Sequence, residues 1–232
     1  MATTTTNFGW DIPQGTDLVK DGATAIAALG QDIDTAFVDF KGGTTGQVLK
    51  KTSGTDLDVE WGTVSSGLTL INTTSFSAVN SVSLPTGTFS STYQNYKTIL
   101  NITTASTNDY FGARYRASGS DISTGAYQSS YLNVNIAAAT SGLGSSGSNQ
   151  TTFTRMGYHL AFQPFYFEAT WWSPNLAVSK GYTGTALQIG TDGGEHFYTG
   201  GSFDDNTIAD SVSFFPISGT FTGTLYCYGI NK

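Results

Sequence analysis

Residues 165–172 read FYFEATWW. Phe167 and Ala169 lie two apart with Glu168 between them, and successive side chains of a strand point to opposite faces. This run therefore predicts a strand with Phe167 and Ala169 on its buried face and Glu168 in solvent. Trp171 and Trp172 cannot both enter one core, so one of them faces outward or meets a neighbouring subunit.

The same texture extends in both directions. Strand-like runs cover residues 68–74, 96–103, 110–117, 128–136, 153–162, 211–215 and 219–230, separated by Gly, Ser, Asn and Pro. No sustained helical period follows Leu68. Short strands at this spacing predict an antiparallel β-sandwich, jelly-roll-like, over residues 68–232. The missing crossover helices exclude a parallel α/β fold. Residues 137–150, AAATSGLGSSGSNQ, read as a mobile surface loop between two strands.

Upstream the period changes. Val19, Ile26 and Ile33 recur every seven residues with Gly22, Leu29 and Ala36 between them, a short heptad pattern ending near Phe37. Thr16 or Asp17 is positioned to cap a helix over residues 16–40, and Asp17 and Asp21 suit its N-terminal dipole. Gly22 and Gly30 each cost roughly 1 kcal/mol against Ala, so this helix needs a partner. The partner is the same helix of another subunit or the chain's own β domain. Residues 41–62 then form a hairpin with Leu57, Val59 and Trp61 on one face, and residues 63–67 a linker. Residues 1–15 read as an extended arm with Phe8, Trp10 and Ile12 as apolar anchors.

Composition narrows the partners. The net charge is −7, and nine of the seventeen acids precede Gly62, which argues against nucleic acid and anionic membranes. No apolar run reaches membrane-spanning length, and MATTTTNFGW lacks the charged and apolar regions of a secretory signal. Cys227 stands alone between Tyr226 and Tyr228 and reads as a packed thiol, with no zinc pattern and no cofactor motif.

Catalytic signatures are thin. No nucleophile elbow, phosphate loop or His-Glu-x-x-His occurs. His159 reads as a hydrogen-bonded structural histidine. Asp192-Gly193-Gly194-Glu195-His196 is the densest ligand-like cluster, but it matches no complete calcium loop and suits a solvated hairpin turn. Asp204-Asp205 reads the same way. No catalytic residue and no metal site are assigned.

The run Asn7-Phe8-Gly9-Trp10 with Ile12-Pro13, then residues 16–23, TDLVKDGA, resembles the N-terminal part of tail-fibre and receptor-binding-type virion proteins of tailed bacteriophages. Gly46-Gln47-Val48-Leu49 followed by Trp61 is similar to another segment of such proteins. The resemblance covers about the first quarter of the chain. It implies a virion structural protein, made in the host cytoplasm and carried on the tail or capsid surface. It further implies a multimeric stalk, commonly trimeric, through Val19, Ile26, Leu29, Ile33 and Phe37. Attachment to other virion proteins would run through Phe8, Trp10 and Ile12.

Residues 68–232 would then present a head to a host-surface glycan. Neutral sugars need an aromatic platform and hydrogen-bonding acceptors. Trp172 and Tyr198 can supply the platform, and Asp192, Glu195 and Asp204 the acceptors. Trp172 precedes Ser173-Pro174, and Tyr198 precedes Gly200-Gly201, both read as turns at the rim. Two alternatives remain open: a purely structural tail or capsid fibre or decoration without host ligand, and a polysaccharide depolymerase, for which the residues give the least support.

Overall fold

The computed structural model describes residues 3–16, 18–64, 67–190 and 193–231. The chain divides into two compact units, Met1–Ser65 and Ser66–Lys232, and the break falls inside the expected linker.

The first unit opens with β1 (Thr3–Thr4) and β2 (Asp11–Ile12), paired antiparallel. The arm is thus a small hairpin rather than an extended segment. Its turn bends back on itself: Trp10 N–H donates to Thr5 Oγ1 at 2.9 Å, and the Phe8 and Trp10 rings stack 4.8 Å apart. Helix α1 (Val19–Ala36) follows, then a 3-10 turn, Val38–Phe40. The helix starts three residues later than its sequence predicts. Leu18 is the N-cap, without a side-chain cap, so Thr16 does not cap it. Asp17 lies outside the described residues, and Asp21 sits in the first turn.

Strands β3 (Gln47–Lys51) and β4 (Val59–Thr63) form the expected hairpin, with Leu49 opposite Trp61. Leu57 departs from expectation. It holds a positive φ of 61° in the turn, because Asp58 gathers the hydroxyls of Thr52 and Ser53 and closes the loop before the strand begins. Those hydroxyls hold the Asp58 carboxyl below its ordinary pKa. The Trp61 ring lies against Gly43, where a Cβ would come within 2.6 Å of it at a φ of +81°.

The second unit is mainly β and antiparallel, a two-layer sandwich. Its strands are β5 (Leu68–Val79), β6 (Val82–Ser83), β7 (Asn95–Ala105), β8 (Asp109–Ala117), β9 (Ser120–Asp121), β10 (Tyr127–Asn135), β11 (Thr140–Ser145) and β12 (Tyr158–His159), then β13 (Phe165–Trp172), β14 (Lys180–Gln188), β15 (Glu195–Phe203), β16 (Ser211–Pro216) and β17 (Phe221–Ile230). Eight make one sheet in the order β11-β10-β15-β14-β13-β7-β17-β5. The smaller sheet runs β12-β8-β16-β6, with β9 paired to β8. The last strand, β17, is wedged between β7 and the edge strand β5.

The core between the sheets is built of rings. Phe111 stacks on Phe214 at 5.7 Å, while Trp171 meets Tyr115, Tyr182 and Phe214 within 5.8 Å. Parity divides the tryptophans as β geometry requires: Trp171 is fully buried and Trp172 is 46% exposed. Glu168 faces out, paired with Lys97 at 2.8 Å.

Two stretches differ from expectation. Residues 140–145 are not loop but β11, paired to β10 in register. Gly142 and Gly144 stand opposite Asn133 and Tyr131, whose side chains occupy the space a Cβ would need. Residues 153–162 keep only an isolated bridge, Ala113 to Phe153, and the two residues of β12. Arg155 and Phe162 take positive φ values of 56° and 60°, which breaks a continuous strand.

Candidate functional site

Because strand side chains alternate, the outer face of the large sheet is a grid. One row runs Glu168, Thr185, Tyr198, Leu132, Leu143 across β13, β14, β15, β10 and β11. The next runs Lys97, Thr170, Thr183, Gly200, Ser130, Ser145. Gly200 has no side chain, so this second row dips in its middle. The two rows line a groove of ≈ 860 Å³. Its floor offers threonine and serine hydroxyls, its walls Tyr198 and the leucines, and one end the Lys97–Glu168 ion pair. Tyr198 is 50% exposed and packs on His196 at 4.4 Å between ring centroids.

The four expected glycan-binding residues that are described, Trp172, Tyr198, Glu195 and Asp204, do not converge. Tyr198 lies mid-strand, because Gly200 and Gly201 belong to β15 rather than to a turn. Trp172 ends β13 at the rim, donating its indole N–H to Thr183 Oγ1 at 3.2 Å. Strand geometry separates Trp172 from Tyr198 by roughly 16 Å, two strands across and four residues along. Glu195 begins β15 on the face opposite Tyr198. Asp204 follows the other end of that strand, roughly 30 Å from Glu195, and accepts from Ser179 Oγ at 2.8 Å. Asp192 lies outside the described residues.

Next to Asp204, Lys180 is 5% exposed. Its ammonium donates to the carbonyls of Val178, Asp205 and Thr207 at 2.7–2.9 Å. Burial lowers its pKa against the pull of the Asp205 charge. The hydroxyl and N–H of Thr207 hold the Asp205 carboxyl below its ordinary value.

His159 is fully buried, and neither ring nitrogen makes a hydrogen bond of standard geometry, so the hydrogen-bonded histidine expected here is corrected. Burial lowers its pKa, outweighing the Thr107 backbone and the Asp109 charge. Burial also pushes the Cys227 thiol up to about 12, which keeps it protonated and inert. Among the described residues no group of three or more His, Cys, Asp or Glu could hold a metal, and no helix is long and apolar enough to cross a membrane.

In the first unit no helix residue is buried. Val19, Ile26, Ile33 and Phe37 are exposed, at 97%, 65%, 40% and 41%, while Leu29 is half-buried. Trp10 meets Phe37 edge-on at 6.3 Å, so this anchor packs within its own unit. Phe8 remains 47% exposed, and Ile12 is half-buried in β2.

No protein-family model and no curated protein matches the chain. Among solved structures, that of the fructofuranosidase from Schwanniomyces occidentalis complexed with fructose is similar at 6% identity, over 80% of this chain and 40% of that one. The TM-score is 0.20, a likeness too slight to carry any argument. The matched part spans 40% of the length of that enzyme's chain.

Proposed function

We propose that this is a homo-oligomeric structural protein of a bacteriophage particle, a tail fibre or receptor-binding component. Its first unit assembles and anchors it, and its β head faces a host-surface glycan. One observation carries the reading: a helix without a buried residue bears Val19, Ile26 and Ile33 at seven-residue intervals, all exposed. Such a stripe is self-complementary, and a second and third copy of the same helix match its spacing. The short motifs around Trp10 and residues 16–23 support placing it on a virion, with Phe8 as the exposed anchor.

Sedimentation of the full chain tests this directly. A trimer at micromolar concentration is expected, and Ile26→Asp should disperse it with the head still folded. A monomeric wild type removes the proposal. For the head, the outer groove around Tyr198 is the contact offered to a sugar. Loss of host-cell binding in Tyr198→Ala with an intact oligomer supports it, and unchanged binding leaves the reading of a fibre without host ligand.

A further inference from the structure

The inner face of the large sheet does not stay apolar to its corner. The row at one end runs Ile102, Phe165, Gln188, Glu195, Asn135 across β7, β13, β14, β15 and β10. The row beside it runs Leu100, Phe167, Ala186, Phe197, Asn133. In the first, hydrophobic side chains give way to two amides and a carboxylate, and in the second to the amide of Asn133. The covering sheet ends here in the two residues of β12. A cavity of ≈ 560 Å³ opens at this corner, between the two layers. That lies within the roughly 300–1,000 Å³ of small-molecule sites.

Its walls combine two chemistries. Tyr110, Tyr131 and Tyr158 are half-buried rings, with Tyr110 5.1 Å from Tyr158 and 6.2 Å from Tyr131. The guanidinium of Arg155 lies over the Tyr110 ring at 5.3 Å. Opposite them stand Asn133, Gln188 and Glu195. None of these three side chains hydrogen-bonds to a described residue, although Gln188 is only 6% exposed. These three polar groups line the open cavity without a partner among the described residues, so a polar occupant can take up their hydrogen bonds.

We propose that this corner is a second binding site of the head, for a short neutral saccharide. It opens away from the outer groove, with Tyr131 at the margin of both, and takes from the reading above only the ligand class. Tyrosine faces take the C–H face of a sugar ring. Asn133 and Gln188 each offer both donor and acceptor to adjacent hydroxyls, and Glu195 accepts from two at once. An anionic ligand meets the Glu195 carboxylate on the wall, a penalty that a neutral polyol does not meet. Glu195 is the one carboxylate among the described lining residues, and the two-carboxylate route to hydrolysis needs a second. The site is accordingly one of binding.

Saturation-transfer NMR on the full chain tests it. The probes are the methyl α-pyranosides of glucose, galactose and mannose, with sialic acid as the anionic control. At least one neutral probe should bind in the millimolar range and sialic acid should not. In a Tyr198→Ala background, which removes the aromatic wall of the outer groove, Asn133→Ala and Glu195→Gln, neither in the apolar core, should each weaken the remaining binding about tenfold or more. Absence of binding by every neutral probe overturns the proposal, as does binding that survives both corner substitutions. Loss in Tyr198→Ala alone moves the sugar to the outer groove, overturning this site while the glycan-binding head survives. Host-cell binding by a wild type that ignores all the probes likewise separates the two.

Discussion

Trp171 donates its indole N–H to the hydroxyl of Thr98 at 2.9 Å, with both side chains sealed inside the sandwich. The donor has no access to water, so its only compensation is this acceptor. Thr98→Val keeps the shape and removes the acceptor. The head should lose about 1–3 kcal/mol, read as a lower urea midpoint with an unchanged slope, whereas Thr98→Ser should retain most of the stability.

His159 makes stability depend on acid. Its folded pKa lies below the unfolded value of 6.5, because burial disfavours the charged ring. Between those two values the unfolded chain holds more protons, so stability falls as pH drops below about 6.5 and levels off below the folded pKa. Asp205 adds nothing in that window, since its stabilising effect is present above its ordinary 3.8 and is lost only below it. Urea midpoints at about pH 7.5 and 5.5 should differ less in His159→Leu than in the wild type.

Lys180 ties Val178 to the Asp205–Thr207 loop through three carbonyls. Lys180→Met fills similar volume but leaves all three acceptors without their donor. A loss of roughly 2–4 kcal/mol is expected, with Lys180→Arg recovering part of it. Hydrogen exchange should show the amides of 204–208 opening first.

The head should also fold without the first unit. Its own ends meet, Asn231 N–H donating to the Gly67 carbonyl at 3.1 Å, and its core is closed by its own two sheets. A chain beginning at Gly67 should give the cooperative unfolding of the full protein and sediment as a monomer. Failure to fold would mean that the core needs residues of the first unit.

Alternation made residues 165–172 legible, including the opposite fates of Trp171 and Trp172. Period seven made α1 legible, although not its start at Val19. The hidden part of the fold lies in glycine-rich strands. Gly200 and Gly201 read as a turn after Tyr198 yet belong to β15, and Gly181 and Gly184 likewise lie inside β14. Within the sandwich they are room: a Cβ on Gly201 would lie 2.7 Å from the Tyr182 ring, and one on Gly181 would strike the Gly201 carbonyl. With β15 unseen, nothing in the sequence could put Tyr198 and Glu195 on opposite faces or Asp204 at the far end. The corner around Asn133 and Gln188 was hidden for the same reason, since an inward amide is recognisable only once the strand's parity is known.

The place of β17 bears on how the head comes into being. The strands it separates, β5 and β7, are made long before it, and pairing across that gap waits for residues 221–230. At roughly 5–20 residues per second, synthesis leaves the edge of β7 open for on the order of ten seconds. Throughout that time Leu100 and Ile102 lack part of their cover, and an uncharged strand, β5, has no neighbour. Long-range pairing of this kind folds slowly, so nascent heads crowded on one message are exposed to cross-pairing between chains. Completion of the last strand, rather than emergence of the first, is the moment that commits each head to its own sheet.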